Sequence, residues 1–159
     1  WKYQRRKQKQ MTRNEIREVL MQMMYEMDAA KTLDLETARK LAGEKLPGKN
    51  LKRSLQILSG IIEHLDEIDG SINAHSRSWK TSRMPKVDLA IMRLALGEIK
   101  YGDDVPEAVA ISEAIKLAKK YSTEQSSRFI HGVLGAIVNA PEAAGSAADA
   151  DAGSAAQEQ

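Results

Sequence analysis

The chain has 159 residues, enough for one domain with a core of its own, and 42% are hydrophobic, which excludes disorder of the whole chain. Cysteine is absent, so a disulfide framework and a cysteine-ligated zinc site are excluded. Net charge is only +2, yet Lys2, Arg5, Arg6, Lys7, Lys9 and Arg13 cluster in residues 1–14, which hold no acid; a basic arm on a near-neutral body suits a polyanion, and the alternative is a solvated terminal tail.

The first helix signal is Thr12 with Glu15 three residues on, a capping box that satisfies two orphan N–H groups. Ile16, Leu20, Met23, Met24 and Met27 follow at helical spacing and define a buried face. Arg13 and Arg17, one turn apart, fall near the same side. Unpaired charge cannot be buried there, so the first turn is expected to overhang the body or reach its rim. Residues 34–45 form a short second helix with Leu35, Ala38, Leu41 and Ala42 inward, broken from Leu46 to Asn50 at Pro47 and Gly48. Leu51, Leu55, Leu58, Ile61, Ile62, Leu65, Ile68 and Ile72 then predict two helices with a bend near His64 to Asp66.

Residues 76–83, polar around Trp79, read as a hinge between two halves. Pro85 opens the next helix, with Val87, Ile91, Leu94, Ala95 and Ile99 buried and Gly102 ending it. Pro106 opens another, running to Tyr121 over Val109, Ile111, Ala114, Ile115 and Ala118. Ser122 with Gln125 suggests a second capping box, for a last helix bearing Phe129, Ile130, Val133, Leu134, Ile137 and Val138. Nothing alternates with period two for long enough to make a strand. The expected fold is all-α: a basic arm over 1–11, a helical body over 12–139 in bundles 12–77 and 84–139, and a disordered Ala/Gly/Ser/acidic tail over 140–159.

Catalytic and metal chemistry find no support. The run from Gly43 to Asn50 has the spacing of a phosphate-binding loop, but Asn50 replaces the magnesium-binding hydroxyl and a helix precedes it where a strand is required. His64, His75 and His131 lack carboxylates at ligand spacing, and the acids Glu63, Asp66, Glu67 and Asp69 lack calcium-loop order. No catalytic residue, metal or cofactor is expected. No apolar run approaches the roughly 18 residues of a membrane span and no signal peptide stands at the start, so the expected setting is the cytoplasm.

Four blocks, in order, resemble the NusB family of bacterial transcription antitermination factors. They are Arg13 and Arg17 through Gln22, Met24 and Tyr25; Trp79 and Arg83 with Val87 to Ile99; Val105-Pro106 with Val109 to Lys119; and Ser126 to Leu134. The resemblance covers residues 12–138. It implies two small helical bundles joined at a hinge, and a non-enzymatic factor that binds boxA-like single-stranded RNA. Its implied partners are NusE, a small-subunit ribosomal protein, and the RNA polymerase antitermination complex; a free monomer or homodimer and no membrane contact are expected.

By position, the resemblance places RNA contacts at Arg13 and Arg17, with Arg6 and Lys9 of the arm beside them, and at Gln125, Arg128 and Phe129. It places partner contacts at Glu98, Lys100 and Tyr101. The bland alternatives are surface salt bridges for the arginines, a core-filling Phe129 and an exposed helix acid at Glu98. Departures from the family pattern are Gly97 for Tyr, expected to loosen the partner surface, Gln125 for an acid, His131 for Asn, Gly135 for Asp, and Ile16 for a small residue. Rival functions are an RNA-targeting accessory domain of an RNA methyltransferase, and a protein–protein scaffold without an RNA role.

Overall fold

The computed structural model describes residues 11–140; Arg6, Lys9, the rest of the basic arm up to residue 10 and the tail from residue 141 lie outside the described residues. Seven helices and no strand make up what is described: α1 Arg13–Ala30, α2 Leu35–Lys45, α3 Gly48–Glu63, α4 Leu65–His75, α5 Lys86–Tyr101, α6 Glu107–Tyr121 and α7 Glu124–Val138. The capping box at Thr12 and Glu15 forms with both of its hydrogen bonds, 2.8 and 3.1 Å. Ile16, Leu20, Met23, Met24 and Met27 are buried as their spacing predicts, and Met21 joins them. Lys31, in the left-handed region at φ 61°, ends α1.

Two boundaries differ from the sequence reading. Helix resumes at Gly48, so only Leu46 and Pro47 separate α2 from α3. The last helix is capped by Thr123, whose hydroxyl accepts from the Ser126 amide at 2.9 Å, and not by Ser122. Ser122 is drawn elsewhere: its hydroxyl donates to Asp88 Oδ1 at 2.8 Å, while Ser126 Oγ donates to Asp88 Oδ2 at 2.7 Å. Asp88 is 0% exposed, and these two hydroxyls satisfy a carboxylate that burial alone would penalise.

The organising element is α5. Every residue from Asp88 to Glu98 is buried, so this helix has no solvent face along that stretch and must be surrounded. It packs against α1 and α3 of the first half and α6 and α7 of the second. One hydrophobic core, from Ile16 and Leu20 through Ile57, Ile61 and Met92 to Ile130 and Leu134, therefore runs through both halves. Bidentate pairing of Arg93 with Asp69, at 2.9 and 2.7 Å, ties α5 to α4. No described helix is long and apolar enough to cross a membrane.

Candidate nucleic-acid interface

The expected RNA contacts among the described residues fall into two groups at opposite ends of α5. Asp88, near its start, holds the opening of α7; Glu98, near its end, holds α1. Ten residues at a rise of about 1.5 Å put these anchors roughly 15 Å apart along the axis, a gap that a short single strand can bridge.

At the α7 end, Gln125 and Arg128 are exposed, and Phe129 is half-buried at the edge of the core. Phe129 packs edge-on against Trp79, with ring centroids 5.5 Å apart. Trp79 is itself 37% exposed. It sits on the connection between α4 and α5, which is tied down rather than loose. Asn73 Oδ1 accepts from the Thr81 amide at 2.8 Å, Lys80 Nζ donates to the Asn73 and Ser76 carbonyls at 3.0 Å each, and the Ser76 hydroxyl donates to the Trp79 carbonyl. Arg77 and Arg83 on the same connection are exposed. The Arg128–Glu124 pair, 3.6 Å apart and well exposed, binds the Arg128 cation only weakly. The result is an aromatic pair on elements that also carry exposed cations, suited to stacking on bases beside a phosphate backbone.

The other end corrects two expectations. Arg17 does not stand free: it is 7% exposed, and its Nε–H donates to both oxygens of Glu98, at 3.0 and 2.8 Å. Its Nη1 donates to Asn14 Oδ1 at 2.7 Å. Glu98, 2% exposed, is correspondingly no surface contact for a partner. The premise that charge on the apolar side of α1 needs a partner holds, but the partner lies 81 residues away on α5. Arg13, one turn earlier, is exposed.

Lys100 is exposed, whereas Tyr101 is half-buried, its ring stacked on His64 with centroids 5.3 Å apart. Burial, followed by the charges of Glu67 and Glu63, pushes the Tyr101 phenol up from its ordinary value. Gly97 also faces inward. A Cβ there would lie 2.3 Å from Ile61 Cγ1 and 2.4 Å from Cδ1, so the missing side chain marks a close crossing of α5 over α3 and not a loosened partner surface.

Between the two ends runs a polar strip on α1 and the end of α6. Tyr25 is 43% exposed. The Tyr121 hydroxyl donates to Glu18 and accepts from Gln22 Nε2 at 3.0 Å, and Lys120 pairs with Glu18 at 2.7 Å. The Lys120 hydrogen bond, then that of Tyr121, holds the Glu18 carboxyl below its ordinary value.

Trp79, Tyr25 and Tyr121 were not among the site residues expected from sequence. An aromatic stranded in a polar segment was the available signal for Trp79. The described residues contain no cluster of three or more potential metal ligands. His64, between α3 and α4, bonds the Gly60 carbonyl of α3 through Nδ1 at 3.0 Å, and His75 bonds the Ser71 carbonyl of its own helix at 2.9 Å.

Comparison with known proteins agrees with this architecture. The NusB family profile matches residues 14–139. "Transcription antitermination protein NusB" of Thermoanaerobacter sp. (strain X514) is 42% identical over 128 residues, 80% of this chain and 91% of the relative. The protein of the same name from Symbiobacterium thermophilum is 36% identical over 149 residues, 88% of this chain and 97% of the relative. Among solved structures, T. maritima NusB superposes with a TM-score of 0.74 at 27% identity, covering 86% of this chain and 96% of that one. The chain belongs to the NusB family, whose members are non-enzymatic regulators of transcription antitermination.

Proposed function

We propose that this protein is an RNA-binding antitermination factor that grips boxA-like single-stranded RNA together with NusE, in the cytoplasm, as part of the RNA polymerase antitermination complex. The observation that supports it most is the exposed Trp79 packed on Phe129, with exposed Arg77 and Arg83 on the same connection as Trp79 and exposed Arg128 next to Phe129 in sequence. Stacking accepts any base, and guanidinium groups supply phosphate contacts; together they hold a flexible strand that a rigid duplex reader would not. Exposed Arg13 serves the strand at the far end of α5. Arg17 acts indirectly, by fixing the first turn of α1 that carries Arg13 and Asn14.

Removing a stacking platform costs about 1–3 kcal/mol per base, or roughly 5- to 150-fold in affinity. Trp79→Ala is therefore expected to weaken a boxA-like oligomer by about that factor in a fluorescence titration with NusE present. Because Trp79 is only 37% exposed and packs on Phe129, a modest fall in thermal midpoint is expected as well, and the titration is run well below it. Wild-type affinity in Trp79→Ala would remove the aromatic pair from the interface.

A further inference from the structure

The face of α3 turned toward the start of α1 carries polar groups that the fold leaves unused. Asn50, Arg53 and Ser54 are spaced i, i+3 and i+4, so they share one side of the helix. Each has a buried polar side-chain atom with no hydrogen-bond partner among the described residues: Asn50 Oδ1, Arg53 Nε and Nη2, and Ser54 Oγ. Such atoms are rare in native proteins, and a cationic donor is the costliest of them.

The charges around Arg53 do not relieve it. Burial first, and then the neighbouring Arg13, depress its affinity for its proton, with Arg17 adding to the effect; Glu98 and Asp103 oppose. Of those two acids, Glu98 already accepts on both oxygens from Arg17, and Asp103 Oδ1 accepts from Gln56 at 3.2 Å. Arg13 and Arg17 thus both act on Arg53, and the buried acid among its neighbours is already committed to Arg17. Pro47 supplies no side-chain cap to α3 and its first turn holds no acid, so its leading amides add to the positive field. Met11, just before α1, and Gly48, at the start of α3, line one groove together with Glu44, Lys45 and Leu46, which sets the two helix starts side by side.

We infer that these adjoining helix starts form a second seat for the RNA backbone, with Arg53 as its half-buried anchor for a phosphate and Arg13 as its exposed jaw. The inference rests on the RNA reading above and extends the strand's path beyond the aromatic pair. Phosphate fits because its several acceptor oxygens can meet a planar guanidinium fork and neighbouring donors at once. A polyanion fits better than the single carboxylate of a protein partner, because the sequence preceding α1 carries Lys2, Arg5, Arg6, Lys7 and Lys9.

The test is fluorescence anisotropy of wild type and Arg53→Ala against two short single-stranded RNAs of unrelated sequence, over a salt series. Arg53→Ala is expected to weaken both about tenfold and to lower the slope of log affinity on log salt by about one, while folding at least as stably as wild type. Arg53→Lys, which keeps the charge and loses the fork, should fall between them and replaces the alanine variant if that fails to fold. Unchanged affinity and slope would overturn the seat, as would loss on one RNA only, which would make Arg53 a base reader. If wild type binds neither RNA, the RNA reading fails, and inorganic phosphate decides the seat separately. A phosphate-dependent shift of the Arg53 Nε–H resonance, assigned by its absence in Arg53→Lys, would keep the seat, and no shift would end it.

Discussion

Arg17→Ala is expected to destabilise the protein by about 3–5 kcal/mol in urea unfolding. The loss would come less from the attraction between Arg17 and Glu98 than from what remains. Glu98, 2% exposed and clamped between helices, would lose the donor that serves both of its oxygens. The paired replacement Arg17→Met with Glu98→Leu removes both charges and should recover most of the stability, because it leaves no buried ion. An Arg17→Ala variant within about 1 kcal/mol of wild type would show that the pair is hydrated and the burial argument wrong. The same reasoning makes Arg17 a poor probe of RNA contact, since its removal disturbs the first turn of α1. Arg13→Ala is the cleaner variant.

Gly97→Ala is expected to cost about 1–3 kcal/mol, although alanine is the better helix former by about 1 kcal/mol. Packing outweighs propensity because the new Cβ would meet Ile61 at 2.3 Å on Cγ1, an atom next to Cβ that moves only if χ1 or the backbone moves. The two helices must then separate or Ile61 must leave its rotamer. Ile61→Ala is costly alone, since Ile61 is fully buried, but it should cost less in the Gly97→Ala background, where the void is partly refilled. Additive losses in that cycle, measured by urea unfolding, would mean that the clash is relieved elsewhere.

The helices were legible because burial leaves a periodic trace. The stripe from Ile16 to Met27, the break at His64 and the prolines before α5 and α6 all stand in the sequence at their structural positions. What did not show was anything decided by residues distant along the chain. Arg17 reads as a free cation because Glu98 is 81 residues away. Gly97 reads as a missing surface side chain because nothing local tells of Ile61 crossing it. Ser122 and Thr123 are adjacent candidate caps, and the choice falls to Asp88, which claims the Ser122 hydroxyl from another helix. For the interface, Gln125, Arg128 and Phe129 were nameable from the resemblance. Trp79 became a site residue only when the tied connection placed it on Phe129. Arg53 escaped notice because a cation in an amphipathic helix normally points to water.

The central claim is that RNA lies along one path, from the Trp79–Phe129 pair to the start of α1. Ultraviolet crosslinking of a boxA-like RNA to the protein with NusE, read out residue by residue, tests it most directly. Crosslinks at Trp79 and Phe129 at one end and around Arg13 at the other, fading together as salt rises, are the predicted result. Crosslinks confined to the acidic turn at Glu63, Asp66 and Glu67, or a yield indifferent to salt, would contradict it.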